Sequence, residues 1–360
     1  MDSGIARNTA LIIYPSYIKK ELLKKAVNDG LVINDKKRGK DQISLNLNNS
    51  IDVTDDATDE DKFSHMLQSS EILSEIEEFE YKKVYRHFCY FKIGNVPVGK
   101  IRELVQNQRV NVFDKRKTEL VDEFDKPTIY SVGDQIYIKF SYCLNDESSS
   151  MIKYVIIAII DKNEDLLEIR FDRVGIAYKN SYNYYKDKIA EILRYFREEL
   201  GVVVENIDFK AVVDYIKSEK DDITIIAQQM NRNGSTAYLE AYDEEEITIP
   251  ILGELERFIA QQENLFNKNE DTKAIRDKLQ DFLREIEVKS DMPKVKIRMA
   301  GSNIKFGITH NYKNTEYSMF MLSGELIGEE TMGSVKDYLM QCYKELRTAV
   351  SADSVSEEEM

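Results

Sequence analysis

Alternating apolar and polar positions in the middle of the chain predict an antiparallel sheet followed by a helix. Ile136–Tyr142 alternates, Tyr154–Ile160 is continuously apolar like a strand buried on both faces, and Leu166–Phe171 alternates again. Tyr185–Leu200 then has apolar residues at helical spacing, and Gly201 follows it as a typical helix-ending residue. The order of these elements is β-β-β-α.

The C-terminal half shows a similar order. Two runs that are typical of strands, Ile223–Met230 and Ser235–Tyr242, flank Asn233-Gly234, which is a strong hairpin signal. Three further strands and a helix are predicted at Val295–Ala300, Asn303–Thr309, Glu316–Leu322 and Ser334–Leu346. Because short turns join the strands and no βαβα alternation appears, we expect an α+β fold with two antiparallel-sheet units in β-β-β-α order and packed helices.

Two amphipathic helices are predicted between these strand regions. Leu252–Phe266 and Thr272–Val288 flank a short polar loop, as in an αα-hairpin. The second helix has one apolar face, formed by Ile275, Leu279, Phe282, Leu283 and Ile286. The spacing of these residues is that of a helix that covers an apolar surface.

The N-terminal part of the chain is less regular. Residues 8–14 predict a short strand and Ile18–Val27 a helix, whereas the polar run 34–62 indicates a flexible segment. Residues 51–80 hold 11 acidic residues and one lysine, a net charge of 1 − 11 = −10. Apolar positions at Phe63, Met66, Leu67, Leu73 and Ile76 predict a helix there.

These patterns divide the chain into four regions. Residues 1–128 form an N-terminal α/β region, and residues 129–250 form a β-rich α+β domain. Residues 251–350 contain the helical hairpin, a three-stranded sheet and a C-terminal helix. Residues 351–360 predict a disordered acidic tail.

A basic segment, residues 81–120, is the main candidate binding region. It holds 10 Lys/Arg and 3 Asp/Glu, a net charge of 10 − 3 = +7, and its aromatic residues are interleaved with the cations. Such a composition is typical of a nucleic-acid groove, where phosphates meet the cations and bases stack on the rings. It is equally typical of a strand with an aromatic core face, or of a surface that docks on an acidic partner or on residues 51–80. The candidate binding residues are Lys82, Lys83, Arg86, Lys92, Lys100, Arg102, Arg109, Lys115, Arg116 and Lys117.

Within the basic segment, Gly94–Lys100 (GNVPVGK) matches most of a phosphate-binding loop between a strand and a helix. Ile101 stands where such a loop has the Ser or Thr that binds Mg²⁺, and Pro97 removes one backbone N–H. Gly94, Gly99 and Lys100 are therefore candidate nucleotide contacts, and a simple glycine turn into a helix is the competing interpretation.

The sequence also offers one candidate metal site. Asp161 and Glu168 would lie at the end of one strand and on the next, as in nucleases that hold Mg²⁺ with Asp and Glu-x-Lys. Arg170 stands in place of the lysine and cannot give up its proton, which favours a row of surface charges instead. His87 and Cys89 would share a strand face but have no third residue to orient them. No catalytic residue, cofactor or bound metal is therefore expected.

Composition narrows the class of protein. The formal net charge of −15 repels nucleic acid and anionic membranes except where a local basic patch reverses it. The three cysteines are widely spaced, so neither a disulfide framework nor a cysteine zinc site is expected. The longest apolar run is far shorter than the roughly 20 residues that cross a bilayer. We therefore expect a cytoplasmic protein that does not enter a membrane.

Together these patterns favour a non-enzymatic protein that binds another macromolecule, as a component of a protein complex or by self-association. Nucleic-acid binding through residues 81–120, with weak Mg²⁺-dependent nuclease chemistry, is the first alternative. A degenerate nucleotide binder that uses Gly94–Lys100 is the second. Whether residues 51–80 neutralise the basic segment stays open at this point.

Overall fold

A computed structural model of the protein describes residues 2–28, 32–34, 43–45, 58–94, 98–114, 120–145, 151–241, 252–288, 290–302, 304–324, 326, 328 and 330–358. The chain divides into two compact units, Met1–Ile207 with Gly324–Tyr338 and Asp208–Ser323 with Leu339–Met360. The boundaries predicted after residues 128 and 250 fall within these units.

The first unit combines six helices and nine strands among its described residues. The helices are α1 (Ser3–Ile12), α2 (Ser16–Asn28), α3 (Asp59–Met66), α4 (Ser70–Lys82), α5 (Val98–Gln106) and α6 (Tyr184–Glu198). The strands are β1 (Val32–Asn34), β2 (Ile43–Leu45), β3 (His87–Ile93), β4 (Asn111–Val112), β5 (Thr128–Val132), β6 (Gln135–Asn145), β7 (Met151–Asp161), β8 (Leu166–Phe171) and β9 (Val204–Asn206). A short 3₁₀ helix at Ile176–Tyr178 precedes α6.

One sheet dominates this unit, with the strand order β4-β5-β6-β7-β8-β3, and β9 also pairs with β3. Its pairs are antiparallel except for β4 with β5. Strand β7 is buried from Ile152 to Asp161, which accounts for its continuous apolar run. The predicted strand at Leu166–Phe171 is confirmed at both ends, and β6 and β7 are longer than predicted.

Helices cover both faces of this sheet. On one face, the rings of Phe140 and Tyr195 meet edge to face at 5.2 Å, which fixes α6 against β6. On the other face, the Thr9 hydroxyl of α1 accepts a hydrogen bond from the backbone N–H of Lys153 at 2.6 Å. Lys139 on that same face contacts Glu80 of α4 at 3.1 Å. The sheet is therefore the middle layer of a three-layer unit.

The N-terminus differs from the sequence prediction. The strand predicted at 8–14 is wrong, because α1 runs from Ser3 to Ile12. Asp2 caps this helix by accepting a hydrogen bond from the Gly4 N–H, and Ala6 and Ala10 are buried one turn apart. A short apolar run does not distinguish a strand from a buried helix by periodicity. Within the segment predicted to be flexible, residues 43–45 and 59–62 are strand and helix, and 35–42 and 46–57 lie outside the described residues.

The second unit contains α7 (Phe209–Glu219), α8 (Leu252–Gln261), α9 (Glu263–Phe266), α10 (Glu270–Val288) and α11 (Glu330–Glu358), of which α11 begins in the first unit. Its strands are β10 (Ile223–Arg232), β11 (Ser235–Glu240), β12 (Asp291–Met299), β13 (Lys305–Thr309) and β14 (Met319–Leu322). They form an antiparallel sheet in the order β11-β10-β12-β13-β14.

The hairpin predicted at Asn233-Gly234 is confirmed. Asn233 and Gly234 have φ values of 49° and 76°, as the twist of a two-residue hairpin turn requires. Helix α7 has no counterpart in the prediction, although Asp208 caps it by accepting hydrogen bonds from the Lys210 and Ala211 N–H groups. It packs on the sheet through Phe209, whose ring meets that of Phe320 at 4.8 Å.

The α+β class is confirmed, but the two β-β-β-α units are not. Strand β3 precedes the predicted first unit in the chain and yet pairs with β8 inside that sheet. Helix α11 continues to Glu358, beyond the predicted end at Leu346 and through residues 351–358, where the sequence predicts a disordered tail. Among the described residues, no helix has the length and apolar character needed to cross a membrane.

Candidate functional site

The basic segment 81–120 covers the end of α4, β3, α5 and β4, and most of its described cations have local partners. Lys82 contacts Glu78 at 2.8 Å, and Arg109 contacts Glu199 at 2.8 Å. Asp172 pairs with Lys83 and also accepts a hydrogen bond from the Arg86 backbone N–H. The Lys92 ammonium donates a hydrogen bond to the Glu164 carbonyl oxygen. Arg102 is exposed, and Lys115, Arg116 and Lys117 lie outside the described residues. The candidate cations are therefore distributed over several contacts and are not gathered into one described groove.

The aromatic residues of this segment belong to the core. Tyr81, Tyr85, Phe88, Tyr90, Phe91 and Phe113 are all buried. The ring of Tyr81, for example, lies 5.1 Å from that of Phe113 and 5.1 Å from that of Tyr130. A base cannot stack on buried rings, so a nucleic acid would meet only the cations of this segment.

The described acidic residues before the basic segment have partners mostly outside it. Glu75 contacts Lys25 of α2 at 2.8 Å, and Glu80 contacts Lys153 of β7 at 2.7 Å. Glu78 and Lys82 form an ion pair between the two oppositely charged segments. The acidic helices therefore stabilise α2 and the sheet more than they neutralise the basic segment.

The phosphate-loop candidate is a helix start. Gly94 follows β3, α5 begins at Val98, and residues 95–97 lie outside the described residues. The Lys100 ammonium lies 2.9 Å from Glu103 one turn later. Ile101 is buried, which explains an apolar residue at this position: its side chain packs α5 on the core.

The candidate metal ligands each have a cation beside them. Asp161 at the end of β7 contacts Lys336 of α11 at 2.9 Å, and Glu168 contacts Arg170 at 2.7 Å. Burial raises the pKa of Asp161, but its hydrogen bond and ion pair with Lys336 outweigh burial and lower the pKa. Among the described residues, no group of His, Cys, Asp and Glu has the arrangement of a metal site.

A buried ionic cluster lies between α4, β6 and β7, and sequence reasoning missed it. The ammonium of Lys139 lies 2.7 Å from Asp122, and that of Lys153 lies 2.7 Å from Glu80 and 3.1 Å from Asp122. Burial raises the pKa of Asp122, but the two lysines outweigh burial and hold this pKa far below its usual range. The sequence signal for the cluster was a lysine at the centre of β6 and another near the start of the apolar strand β7. Because these side chains are sealed from solvent, the cluster is a structural connection and not a site that a substrate reaches.

A serine–histidine pair occurs in the second unit. His310 Nδ1 lies 3.0 Å from the Ser318 hydroxyl, and both residues are buried. Burial, followed by the nearby Lys210 and Lys217, lowers the pKa of His310 to about 4. The imidazole is therefore neutral at neutral pH, and its burial leaves no approach for a substrate. The pair joins the turn after β13 to the start of β14.

The accessible candidate is an apolar surface on the helical hairpin of the second unit. Phe258, Leu265, Ile275 and Phe282 are 52%, 60%, 54% and 51% exposed, and we call them the hairpin face. By contrast, their neighbours Ile259 and Leu283 are each 5% exposed. The apolar stripe of these helices is therefore wider than the portion that is buried within the second unit. Ile275 and Phe282 are seven residues apart and so lie along one stripe of α10.

The charges beside the hairpin face balance locally. Arg276 contacts Asp277 at 2.8 Å, and Arg284 contacts Asp281 at 3.5 Å. Helix α10 as a whole holds four Lys/Arg and six Asp/Glu, a net charge of 4 − 6 = −2. The cations next to the exposed apolar side chains are therefore paired, although the helix as a whole is mildly acidic.

Comparison with protein-family models gives no match for this chain, and comparison with curated proteins gives none. The roles of the hairpin face, the basic segment and the buried clusters therefore follow from their geometry. Of these, the hairpin face is the one in which several large apolar side chains are more than half exposed.

Proposed function

We propose that this protein is a non-enzymatic, cytoplasmic component of a protein assembly, and that it self-associates through the hairpin face. The observation that carries this proposal is the exposure of four large apolar side chains on consecutive amphipathic helices. A single half-exposed large apolar side chain is ordinary, whereas several on adjacent helices of one hairpin are typical of an interaction surface.

A second copy of the chain is the partner that the surface favours. In a twofold-symmetric pair the same face meets itself, so apolar side chains contact apolar side chains. Each Phe, Leu or Ile that becomes fully buried contributes about 1.5–3 kcal/mol relative to full exposure, and these residues are already about half buried. The ion pairs of Arg276 with Asp277 and of Arg284 with Asp281 reduce the repulsion between two such mildly acidic helices.

Analytical ultracentrifugation across a wide range of protein concentration tests the proposal. We expect the wild type to form dimers, and a variant with Ile275→Glu and Phe282→Glu to be monomeric. Ile176→Glu is the matched control, because Ile176 is also an exposed isoleucine but lies in the first unit. A wild type that stays monomeric throughout, or a double variant that dimerises like the control, contradicts the proposal.

Nucleic-acid binding through residues 81–120 is the alternative function. Its net charge of 10 − 3 = +7 and the exposed Arg102 support it. A labelled nucleic acid should then be shifted at low salt, more weakly at high salt, and more weakly when Lys115, Arg116 and Lys117 become alanine. Absence of any shift at low salt removes this alternative.

A nucleotide-binding role for Gly94, Gly99 and Lys100 is the remaining alternative. It predicts a higher melting temperature with ATP or GTP and Mg²⁺, because a ligand that binds the native state stabilises it. An unchanged melting temperature at saturating nucleotide removes it.

A further inference from the structure

Strand β6 has a partner on one side along its whole length, but on the other side along only part of it. Its pairing with β7 extends from Gln135 to Asn145, whereas its pairing with β5 ends at Lys139. Among the described residues, no strand pairs with the β5 side of β6 from Phe140 to Asn145. We call these six residues the free edge.

The pairing of β5 with β6 ends at Thr128, one residue after Pro127. The Pro127 carbonyl oxygen accepts a hydrogen bond from the Asn111 N–H at 2.8 Å, so the backbone at Pro127 faces β4 and not β6. Among the described residues, no strand continues β5 beside Phe140–Asn145, so this edge of β6 can accept another strand.

The free edge borders an open groove of about 810 Å³ in the first unit. Residues of α6 form another wall, and the rings of Phe124, Phe140, Tyr142 and Tyr195 line it. This volume lies within the range of about 300–1,000 Å³ that is usual for ligand sites. Six residues of extended chain are about 20 Å long, which is the length of the free edge itself.

One hydroxyl group in the groove wall lacks a hydrogen-bond partner. The Tyr195 hydroxyl oxygen is buried, and no partner exists for it among the described residues. Burial, followed by the Glu199 charge, raises the pKa of Tyr195 to about 12, so its hydroxyl keeps its proton and can donate. Buried hydroxyls normally have partners, which points to a ligand that supplies them.

The charges of the groove exclude a strongly charged ligand. Its lining holds four cations and four carboxylates, a net charge of 4 − 4 = 0. Lys188 contacts Glu191 at 2.9 Å and lies 3.6 Å from the ring centre of Tyr142, and Arg109 contacts Glu199. A phosphate-rich ligand would meet as many carboxylates as cations, whereas a peptide with few or balanced charges meets no repulsion.

We propose that this groove binds an extended peptide segment of another protein as an added strand on the free edge of β6. Its backbone amides and carbonyls pair with those of Phe140–Asn145, and its apolar side chains contact the ring-lined wall. The site lies in the first unit and is independent of the hairpin face. If the protein is monomeric and still binds such peptides, the proposed self-association is wrong and the peptide-binding site is supported.

Cys143 provides a direct probe, because it lies on the free edge and is exposed, whereas Cys89 and Cys342 are buried. Random octapeptides displayed on phage are selected against the full-length protein, and enriched sequences are synthesised. At a peptide concentration about ten times its Kd, alkylation of Cys143 should slow by about tenfold. Enriched peptides that leave Cys143 unprotected, or failure of any peptide to enrich, would overturn the proposal.

Backbone N-methylation distinguishes strand addition from side-chain binding. Alternate amides of an added strand point toward β6, and the others point away. Methylation of the β6-facing set should weaken binding by about tenfold or more, while methylation of the other set should leave it unchanged. Equal effects of the two sets contradict strand addition.

Tyr195→Phe tests the groove without disturbing the edge. It should weaken peptide binding about three- to tenfold by removing one hydrogen bond. Its melting temperature should not fall, because that hydroxyl has no partner in the free protein. Tyr238→Phe, on an exposed tyrosine of the second unit, is the control and should bind as the wild type does. Wild-type affinity in Tyr195→Phe would overturn the assignment to this groove.

Discussion

The ammonium nitrogen of Lys139 lies 2.7 Å from a carboxylate oxygen of Asp122, and both side chains are sealed from solvent. Asp122 also accepts a hydrogen bond from the Thr128 hydroxyl at 2.9 Å. The carboxylate thus joins the segment before β5 to the centre of the sheet. Asp122 and Lys139 are only 17 residues apart in the chain, but the cluster they belong to also contains Glu80 of α4 and Lys153 of β7.

Removal of one charge from this cluster should lower the stability of the protein. We expect Asp122→Asn to lower the free energy of unfolding by about 3–5 kcal/mol, because Lys139 then stays buried without its nearest carboxylate. Urea denaturation measures the change. Adding Lys139→Met should recover part of the loss, because the contact between Lys153 and Glu80 remains. As the control, Glu103→Gln in the exposed pair with Lys100 should change stability by less than about 1 kcal/mol. An equally small loss in Asp122→Asn would contradict this account.

His310 should make stability depend on pH in a defined range. Its pKa is lowered from 6.5 to about 4 in the folded state. Between these values the unfolded chain binds a proton that the folded protein does not, so stability falls as the pH decreases from about 6.5 to about 4. The slope is at most about 1.4 kcal/mol per pH unit. Denaturation of the wild type and of His310→Gln at several pH values measures it, and the variant should lose this dependence. Identical pH profiles would show that His310 is not responsible.

Adjacent positions on α10 should separate association from folding. Phe282 is 51% exposed and Leu283 is 5% exposed. Phe282→Glu should abolish dimerisation with little effect on the melting temperature, whereas Leu283→Glu should destabilise the second unit because it buries a charge. Sedimentation and thermal denaturation of the two variants give both readouts. Equal loss of stability in both would mean that Phe282 belongs to the core.

Restoring the missing hydroxyl of the phosphate loop should not create a nucleotide site. Ile101→Ser provides the residue type that binds Mg²⁺ in such loops. Since Ile101 is buried, we expect the variant to lose about 2–4 kcal/mol of stability and to gain none with ATP and Mg²⁺. Thermal denaturation with and without nucleotide checks this. An ATP-dependent rise in the melting temperature would revive the nucleotide-binding alternative.

The sequence predicts elements well where the apolar pattern and the burial agree. Leu166–Phe171 alternates, ends in turns and forms β8 with the predicted bounds. Residues 8–14 contain a short apolar run without caps, and such a run fits a strand and a helix equally. Asp208 gives α7 a clear capping signal, and Phe209, Val212, Val213 and Ile216 follow at helical spacing, so that helix could have been recognised.

Site properties are harder to predict than elements, because they depend on pairing between distant segments. The aromatic residues of 81–120 fit a stacking surface by composition, and only the position of β3 beside β8 buries them. Ile275 and Leu283 belong to one predicted helical face, but in the folded unit Ile275 is 54% exposed and Leu283 only 5%. Periodicity identifies an apolar stripe, and it does not determine how much of that stripe the rest of the chain reaches.

The direction of the Pro127 carbonyl has a consequence for strand length in this protein. Its oxygen faces Asn111 of β4, so the chain that leads into β5 is already bonded to β4, while β6 continues beside β7 as far as Asn145. One strand is therefore interior to the sheet along its first half and forms a border along its second half. The length difference between β5 and β6 gives the sheet a step, and the groove lies at that step.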